Sequence, residues 1–291
     1  MNILNLDDFS NEEINKILDL AEQFKTGKKK VDYKGKKVIS NLFFEPSTRT
    51  HYSFDMAALK LGCKTQNFDS VNSSLKKGES LYDTVKTFEM FGTDAVVIRH
   101  VENEYYKQLV GKINIPILNA GDGTGNHPSQ SLLDLLTIRE EFGSFEGLKA
   151  VIVGDITHSR VAHTNIKVMQ KLGMTVYTSG PDEYKEEGYE FVNLDEIIDK
   201  VDVVMLLRVQ HERHENSMIE TVEEYHKLHG LNMERVKKMK ETAIIMHPAP
   251  FNRNVEIADD VVECEKSRIF KQIQNGVYIR MALIYMALQN K

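Results

Sequence analysis

Blocks of apolar positions separated by polar ones predict a repeated strand-and-helix pattern along the chain. The segment 37–44 is rich in β-branched and aromatic residues, as expected of a strand buried on both faces. Apolar residues then recur at positions 54, 57, 58 and 61, the spacing of one helix face, before Gly62. The chain therefore changes from strand to helix between residues 45 and 50.

The same alternation continues through the sequence. Further buried strands are predicted at 94–98, 115–119, 149–155, 202–207 and 242–246. Helices are predicted from the Ser10 and Glu13 capping box to Gly27, over 81–92, after residue 130, over 159–173 and over 270–288. Strands that alternate with helices are typical of an α/β fold with mostly parallel sheets, and the Gly-containing stretch 142–147 resembles a junction between two domains.

The first strand-to-helix change carries side chains that suit an anion. Ser47, Thr48, Arg49 and Thr50 supply three hydroxyls and a guanidinium at the start of a helix. A helix start also presents unpaired N–H groups and the positive end of the helix dipole. A phosphate group is the anion that we expect to bind there. The alternative is that Ser47 is only an N-cap and Arg49 only a solvated charge.

Two other predicted strands end next to polar groups. Arg99 stands at the carboxyl end of one strand, and His127 and Gln130 follow another after the glycine-rich segment 121–125. Carboxyl ends of parallel strands meet at one edge of a sheet, so we expect these residues to share a crevice with 47–50. The glycines predict a close backbone approach. Arg99 and His127 could instead be ordinary surface residues.

Composition limits the classes of function. A chain of 291 residues is long for one core, so two domains are expected. The net charge of −6 argues against a general nucleic-acid or membrane surface but allows a local basic pocket. Cys63 and Cys264 lie far apart, which indicates a reducing compartment. With no cationic leader and no apolar run of about 20 residues, a cytoplasmic protein is expected.

Metal and dinucleotide sites are not expected. The segment 211–214 (His-Glu-Arg-His) lacks the zincin spacing and a third ligand, so a solvated helix face is favoured. The second α/β set begins at residue 149 without the GxGxxG fingerprint of NAD sites. The polar segment 70–79 is expected to be an exposed, mobile, solubilising loop by its composition.

Seven motifs together resemble the catalytic chains of the aspartate carbamoyltransferase family, within the aspartate/ornithine carbamoyltransferase superfamily. They are FFEPSTRT at 43–50, SLKKGES at 74–80, VIRH at 97–100, NAGDGTGNHPSQ at 119–130, VGDITHSRVAH at 153–163, LLRVQHER at 206–213 and MHPAP at 246–250. The match extends over nearly the whole chain in the family's order. Ser129 stands where threonine is more usual, and Pro46 occupies a variable position.

The resemblance implies an enzyme that carbamoylates L-aspartate with carbamoyl phosphate in pyrimidine synthesis, with no cofactor. It implies a carbamoyl phosphate-binding domain at 1–143, to which the C-terminal helix at about 267–291 returns, and an aspartate-binding domain at 148–266. The reacting-centre residues would be Arg49, Thr50, Arg99 and His127. Carbamoyl phosphate would contact these four and Ser47, Thr48, Gln130, Ala249 and Pro250.

For L-aspartate, the resemblance implies Lys77, Arg160, Arg208 and Gln210. Ser73 and Lys77 would come from a neighbouring subunit, which implies a homotrimer with shared sites and replaces the interpretation of 70–79 as a solubilising loop. Whether a regulatory chain binds is left open by the motifs.

Two alternatives remain. A carbamoyltransferase for another amine such as ornithine would typically carry HCLP where this chain has His247-Pro248-Ala249-Pro250, and it needs no guanidinium for a second carboxylate. A non-catalytic binding protein on the same fold is the other, because a fold alone does not establish activity.

Overall fold

The computed structural model of the protein describes residues 1–70, 73–209 and 222–289. The chain divides into two compact units, Met1–Leu136 with Ile273–Lys291, and Thr137–Gln272. Each unit contains a four-stranded sheet in which every pairing is parallel, with helices around it. This confirms the predicted α/β class with two parallel sheets.

The first unit is built on a sheet with the order β2-β1-β3-β4. Its strands are β1 (Val38–Phe43), β2 (Lys64–Asn67), β3 (Ala95–His100) and β4 (Ile117–Asp122). Its helices are α1 (Asn11–Lys25), α2 (Thr48–Lys60), α3 (Leu81–Met90) and the first part of α4 (Pro128–Phe142). One-turn 3-10 helices lie at Ser74–Lys77 and Tyr105–Gln108. Apolar side chains of β1, β3 and β4 are buried, as both-face coverage of a parallel sheet requires.

Local sequence explains where these elements begin. The N–H of Glu13 donates to Ser10 Oγ at 3.2 Å, and the N–H of Ser10 donates to the Glu13 carboxylate at 2.8 Å. This is the predicted capping box, and it starts α1 at Asn11. Gly62 follows α2 with a φ of +68°, the left-handed conformation in which glycine commonly ends a helix.

The C-terminal helix α9 (Ile269–Gln289) returns to the first unit, as predicted. Phe24 of α1 packs edge-on against Tyr285, with ring centroids 5.8 Å apart. Lys25 Nζ donates to Asn275 Oδ1 at 2.7 Å. The helix is therefore a structural part of a unit whose other elements precede residue 137.

The second unit repeats the arrangement with the order β6-β5-β7-β8. Its strands are β5 (Lys149–Val153), β6 (Thr175–Ser179), β7 (Val203–Leu206) and β8 (Ile244–Met246). Its helices are α5 (Arg160–Lys171), α6 (Leu194–Ile197), α7 (Val222–Leu228) and α8 (Met233–Val236), together with the end of α4 and the start of α9. A 3-10 turn lies at Asp182–Tyr184.

Most predicted elements are confirmed, but the structure also contains elements that were not predicted, among them β2, β6, α6, α7 and α8. Strand β6 is short, contains two threonines and pairs along its whole length with β5. Strand β4 extends to Asp122 rather than ending at 119, because His100 pairs with Asp122 beyond an irregularity in the ladder. Among the described helices, none combines the length and apolar character needed to cross a membrane.

Candidate active site

The connection from β1 to α2 is the predicted anion junction. Ser47 is the N-cap of α2, with extended backbone angles (φ −162°, ψ 99°), but its side chain makes no capping hydrogen bond. Thr48 and Arg49 are exposed, Thr50 is buried, and the first turn carries no acidic residue. The helix start therefore keeps a positive potential, with a hydroxyl that does not cap it.

Arg99 joins the carboxyl ends of three strands, which we call the first edge. Its Nε lies 2.6 Å from Glu45 Oε1, directly after β1. Its Nη1 donates to the carbonyl of Ala120 in β4 at 3.4 Å and lies 3.5 Å from His127 Nε2. Only 12% of the Arg99 side chain is exposed, so its charge acts in surroundings that screen it weakly.

His127 and Gln130 lie at the entrance of α4, on the same edge, and both are buried. The His127 carbonyl accepts the Gln130 N–H at 3.0 Å. Gln130 Nε2 donates to Asp134 Oδ1 at 2.9 Å, which orients the amide and leaves Oε1 as its acceptor atom. The structure thus brings Arg99 beside His127 and places Gln130 one turn further along the chain.

Asp122 fixes the loop that leads to His127, a role that the sequence did not reveal. Its carboxylate accepts the N–H groups of Glu104 and Asn126, each at 2.6 Å. Burial raises the pKa of Asp122, and the hydrogen bonds that it accepts oppose this effect. The predicted close approach of the glycines is made to the chain itself, since a Cβ at Gly123 would overlap Asn103 Oδ1.

Ser73 and Lys77 lie on the one-turn helix Ser74–Lys77. Ser73 is its N-cap, accepting the N–H of Leu75 at 3.4 Å, and its hydroxyl donates to the carbonyl of Ser70 at 2.9 Å. Lys77 is exposed and forms no ion pair with any other described residue. Within the described chain, these two residues are not brought to Arg99.

The second unit has its own set of residues at the carboxyl ends of β5, β7 and β8, the second edge. Arg160 is the first residue of α5 and is half-buried, and Arg208 lies two residues beyond β7. Asp155, after β5, accepts the His158 N–H at 3.1 Å, and both its oxygens lie 3.0 Å from His158 Nδ1. Gln210 and the segment 211–214 lie outside the described residues.

The turn after β8 holds Ala249 and Pro250, which are joined by a cis peptide bond. The Ala249 N–H donates to His247 Nδ1 at 2.9 Å, so that the ring proton is on Nε2, which lies 3.4 Å from Glu256 Oε1. Asn252 Nδ2 donates to the carbonyl of Val209 at 2.9 Å. The turn is therefore bonded to the residue that follows Arg208.

Two buried groups support this turn, and neither role was predicted from the sequence. His247 and Glu256 are 1% and 2% exposed. Glu256 accepts the Asn252 N–H at 2.5 Å and the Val209 N–H at 3.4 Å, which joins the turn to the end of β7. Two backbone N–H groups from segments distant in sequence therefore meet at one buried carboxylate.

Among the described residues of these edges there is neither a metal cluster nor a dinucleotide loop. In the part of the chain that the structure describes, no three His, Cys, Asp or Glu side chains are grouped to hold a metal ion. Gly154, where a dinucleotide fold would begin its phosphate loop, packs against Leu207, the residue after β7: a Cβ there would lie 2.9 Å from Leu207 Cβ.

Comparison with known proteins gives matches over both units. Residues 1–140 match the carbamoyl-P binding domain of the aspartate/ornithine carbamoyltransferases, and residues 146–287 match their Asp/Orn binding domain.

Among solved structures, aspartate transcarbamoylase from Trypanosoma cruzi is similar over 98% of this chain and 94% of its own. Its complex with aspartate and phosphate and its complex with carbamoyl aspartate and phosphate each superpose with a TM-score of 0.85 at 30% identity. Its complex with N-(phosphonacetyl)-L-aspartic acid has a TM-score of 0.86 at 29% identity.

Proposed function

The chain belongs to the aspartate/ornithine carbamoyltransferase family, and we propose that it is an aspartate carbamoyltransferase. It transfers the carbamoyl group of carbamoyl phosphate to the amine of L-aspartate, and N-carbamoyl-L-aspartate and phosphate are the products. The observation that carries this proposal is the position of the mostly buried Arg99 guanidinium, 3.5 Å from His127 and 2.6 Å from Glu45, which shortly precedes α2. The T. cruzi relative, which binds aspartate with phosphate, supports the choice of acceptor.

The phosphate group of carbamoyl phosphate binds at the start of α2. Its oxygens accept hydrogen bonds from the backbone N–H groups and from Ser47, Thr48 and Thr50, and Arg49 neutralises its charge. The Ser47 side chain makes no capping hydrogen bond to α2, and this supports the assignment. Glu45, 2.6 Å from Arg99, must move or share that guanidinium when a dianion arrives.

The carbonyl oxygen of the carbamoyl group contacts Thr50, Arg99 and His127. Attack by the amine develops negative charge on this oxygen, and preorganised donors lower the energy of that state. The burial of Thr50 and His127 strengthens their effect. The carbamoyl NH₂ donates two hydrogen bonds and needs acceptors for them. These are supplied by Gln130 Oε1 and by the carbonyls of Ala249 and Pro250.

L-Aspartate is recognised through its two carboxylates. Arg160 binds the α-carboxylate, and Arg208 with Gln210 binds the β-carboxylate, because a guanidinium offers a planar fork that fits a carboxylate. Lys77 adds a further cation. The amine attacks unprotonated without a covalent enzyme intermediate, and the departing phosphate takes the amine proton. Orientation and electrostatic stabilisation therefore supply most of the rate.

Ser73 and Lys77 serve the site of a neighbouring subunit in a homotrimer. One feature that supports an assembly is the outer face of α2, where Tyr52, Met56 and Leu59 are 63%, 46% and 54% exposed. Apolar residues at this spacing form one stripe on the helix that carries Arg49, and an exposed apolar stripe is typical of a surface that another chain covers.

The assignments of domains, pathway and compartment rest on the same proposed function. We assign carbamoyl phosphate binding to residues 1–143 with about 267–291, and aspartate binding to residues 148–266. The reaction belongs to pyrimidine synthesis. Cys63 and Cys264 are both free thiols, which fits a reducing compartment such as the cytoplasm.

Phosphate release from carbamoyl phosphate tests the proposal when L-aspartate and L-ornithine are offered separately as acceptors. We expect release with L-aspartate alone, and a product whose mass is that of N-carbamoyl-L-aspartate. Release with L-ornithine would overturn the roles of Arg208 and Gln210. The absence of release with either acceptor, from folded protein that binds phosphate, would favour a non-catalytic binding protein.

A further inference from the structure

A buried arginine lies behind the first edge, on a helix with no other assigned role in the site. Arg280 of α9 is 3% exposed. Its Nη2 donates to Ser129 Oγ at 3.2 Å, and its guanidinium carbon lies 5.1 Å from the centre of the Phe54 ring. One side chain therefore contacts α2, which begins at the phosphate junction, and the start of α4, which follows His127.

Helix α9 has a glycine where a larger residue would collide with the Arg280 side chain, although glycine destabilises a helix. Gly276 lies one turn before Arg280, and a Cβ there would overlap Arg280 Nη1 and lie 3.2 Å from Leu133 Cδ2. Glycine inside a helix is less favourable than alanine, because it loses more backbone freedom on folding. The position of the guanidinium is thus built into the backbone of α9.

The charge of Arg280 is incompletely compensated. Burial is the main reason why the pKa of Arg280 falls to about 9; the buried carboxylate of Asp134 opposes this shift, and the positive charge of Arg99 adds to it. The group remains a cation at neutral pH, in an environment that disfavours cations. Replacing a complete buried ion pair by apolar residues is often neutral or stabilising, so stability alone does not explain why a buried cation stands here.

We propose that Arg280 is a positioning residue for the anion site, which fixes the start of α4 through Ser129 and adds a second positive charge behind Arg99. The proposal rests on the proposed function, since that assigns Arg49, Arg99, His127 and Gln130 to carbamoyl phosphate. Arg280 does not touch the substrate.

The two parts of this role have separate effects. Ser129 lies between His127 and Gln130, so the hydrogen bond from Arg280 holds the segment that presents both side chains. The charge acts over a longer range. The attraction between two charges falls only with the inverse of their distance, so a buried cation can raise the affinity for an anion that it does not touch.

Binding of inorganic phosphate, measured by titration calorimetry, tests the charge. We expect Arg280→Met to weaken phosphate binding by about tenfold and Arg280→Lys, which keeps the charge, to remain within about threefold of the native chain. Lys25→Met is the matched control, because it removes a cation that also contacts α9 but lies outside the site, and its phosphate affinity should be unchanged. Equal phosphate affinity in Arg280→Met and the native chain would overturn the charge role.

Ser129→Ala tests the positioning and does not depend on whether Arg280→Met folds. Ser129→Ala should lower kcat severalfold and leave the phosphate affinity unchanged. Ser129→Thr, which keeps the hydroxyl, should retain the native kcat. A merely structural role would instead lower the melting temperature with no change in kcat, and that result would overturn the positioning role. Carbamoylation of L-aspartate by the native chain tests the proposed function alone, because the phosphate titrations involve no acceptor.

Discussion

Two strand-to-helix connections occupy the same place in the two sheets but differ in chemistry. β1 leads to α2 and β5 leads to α5, and the strand orders β2-β1-β3-β4 and β6-β5-β7-β8 are equivalent. At the first connection, the Ser47 side chain makes no capping bond. At the second, Ser159 Oγ accepts the Ala162 N–H at 3.2 Å, and Asp155 accepts the His158 N–H at 3.1 Å.

The difference shows how one topology supports two kinds of site. The start of α5 has a side-chain cap, whereas the start of α2 has none, and the role that we propose for its hydroxyls and Arg49 is to bind an external anion. Specific chemistry at a repeated fold position is therefore decided by a few residues in the connection, and the fold alone does not determine it.

Removing the guanidinium from the first connection should have the largest effect. Arg49→Ala should lower kcat by about 10²–10³-fold, because the anion site loses charge that it offers in the transition state. Steady-state phosphate release at saturating substrates measures this. Lys60→Ala, at the other end of α2, is the control and should retain native activity; near-native turnover of Arg49→Ala would contradict the phosphate assignment.

The second edge should respond differently to the same kind of change. Arg208→Ala should raise the KM for L-aspartate by about 10–100-fold and change the KM for carbamoyl phosphate by less than about threefold, because it removes one carboxylate contact. Initial rates with each substrate varied in turn separate the two constants. Lys200→Ala, which is exposed on the same unit, is the control, and an equal rise in both KM values would refute the assignment.

Mixing inactive subunits tests whether the first edge is completed by a neighbour. Lys77→Ala and Arg49→Ala should each be inactive alone. After dissociation and reassembly as an equal mixture, about a quarter of the sites combine a native Lys77 with a native Arg49, so about a quarter of native activity should return. Each variant reassembled with itself is the control, and no recovery in the mixture would argue against shared sites.

The smallest effects compare the two serine N-caps directly. Ser159→Ala should lower the free energy of unfolding by about 1 kcal/mol and leave phosphate binding unchanged, because it removes a capping bond. Ser47→Ala should change stability by less than about 0.5 kcal/mol but weaken phosphate binding severalfold. Chemical denaturation and phosphate titration measure the two quantities. The same response from both variants would show that the two connections do not differ as described.

Sequence reasoning found the elements whose signal is local. The apolar run before Phe44, the capping box at Ser10 and the glycine after α2 each act within a few residues, and all three are confirmed. β6 was missed because a short segment with polar residues has no distinct period, and only its pairing with β5 makes it a strand.

The supporting residues of the site could not be found in this way. Asp122 and Glu256 act by accepting backbone N–H groups from segments distant in sequence, such as Glu104 and Val209, and no spacing rule predicts those pairs. Arg280 did carry a usable signal, since it is an isolated arginine in a mostly apolar helix beside Met281, Ala282 and Leu283. A charge in such a helix indicates a partner or a function.

The discontinuous first unit has a consequence for synthesis on the ribosome. Its sheet is complete once residue 122 has been made, but α9, which supplies Arg280, is translated only after all of Thr137–Gln272. At about 5–20 residues per second, the second unit emerges and has time to fold during this interval. The apolar surface that α9 covers in the folded unit is therefore exposed on the nascent chain, and Arg280 reaches Ser129 only when α9 leaves the exit tunnel.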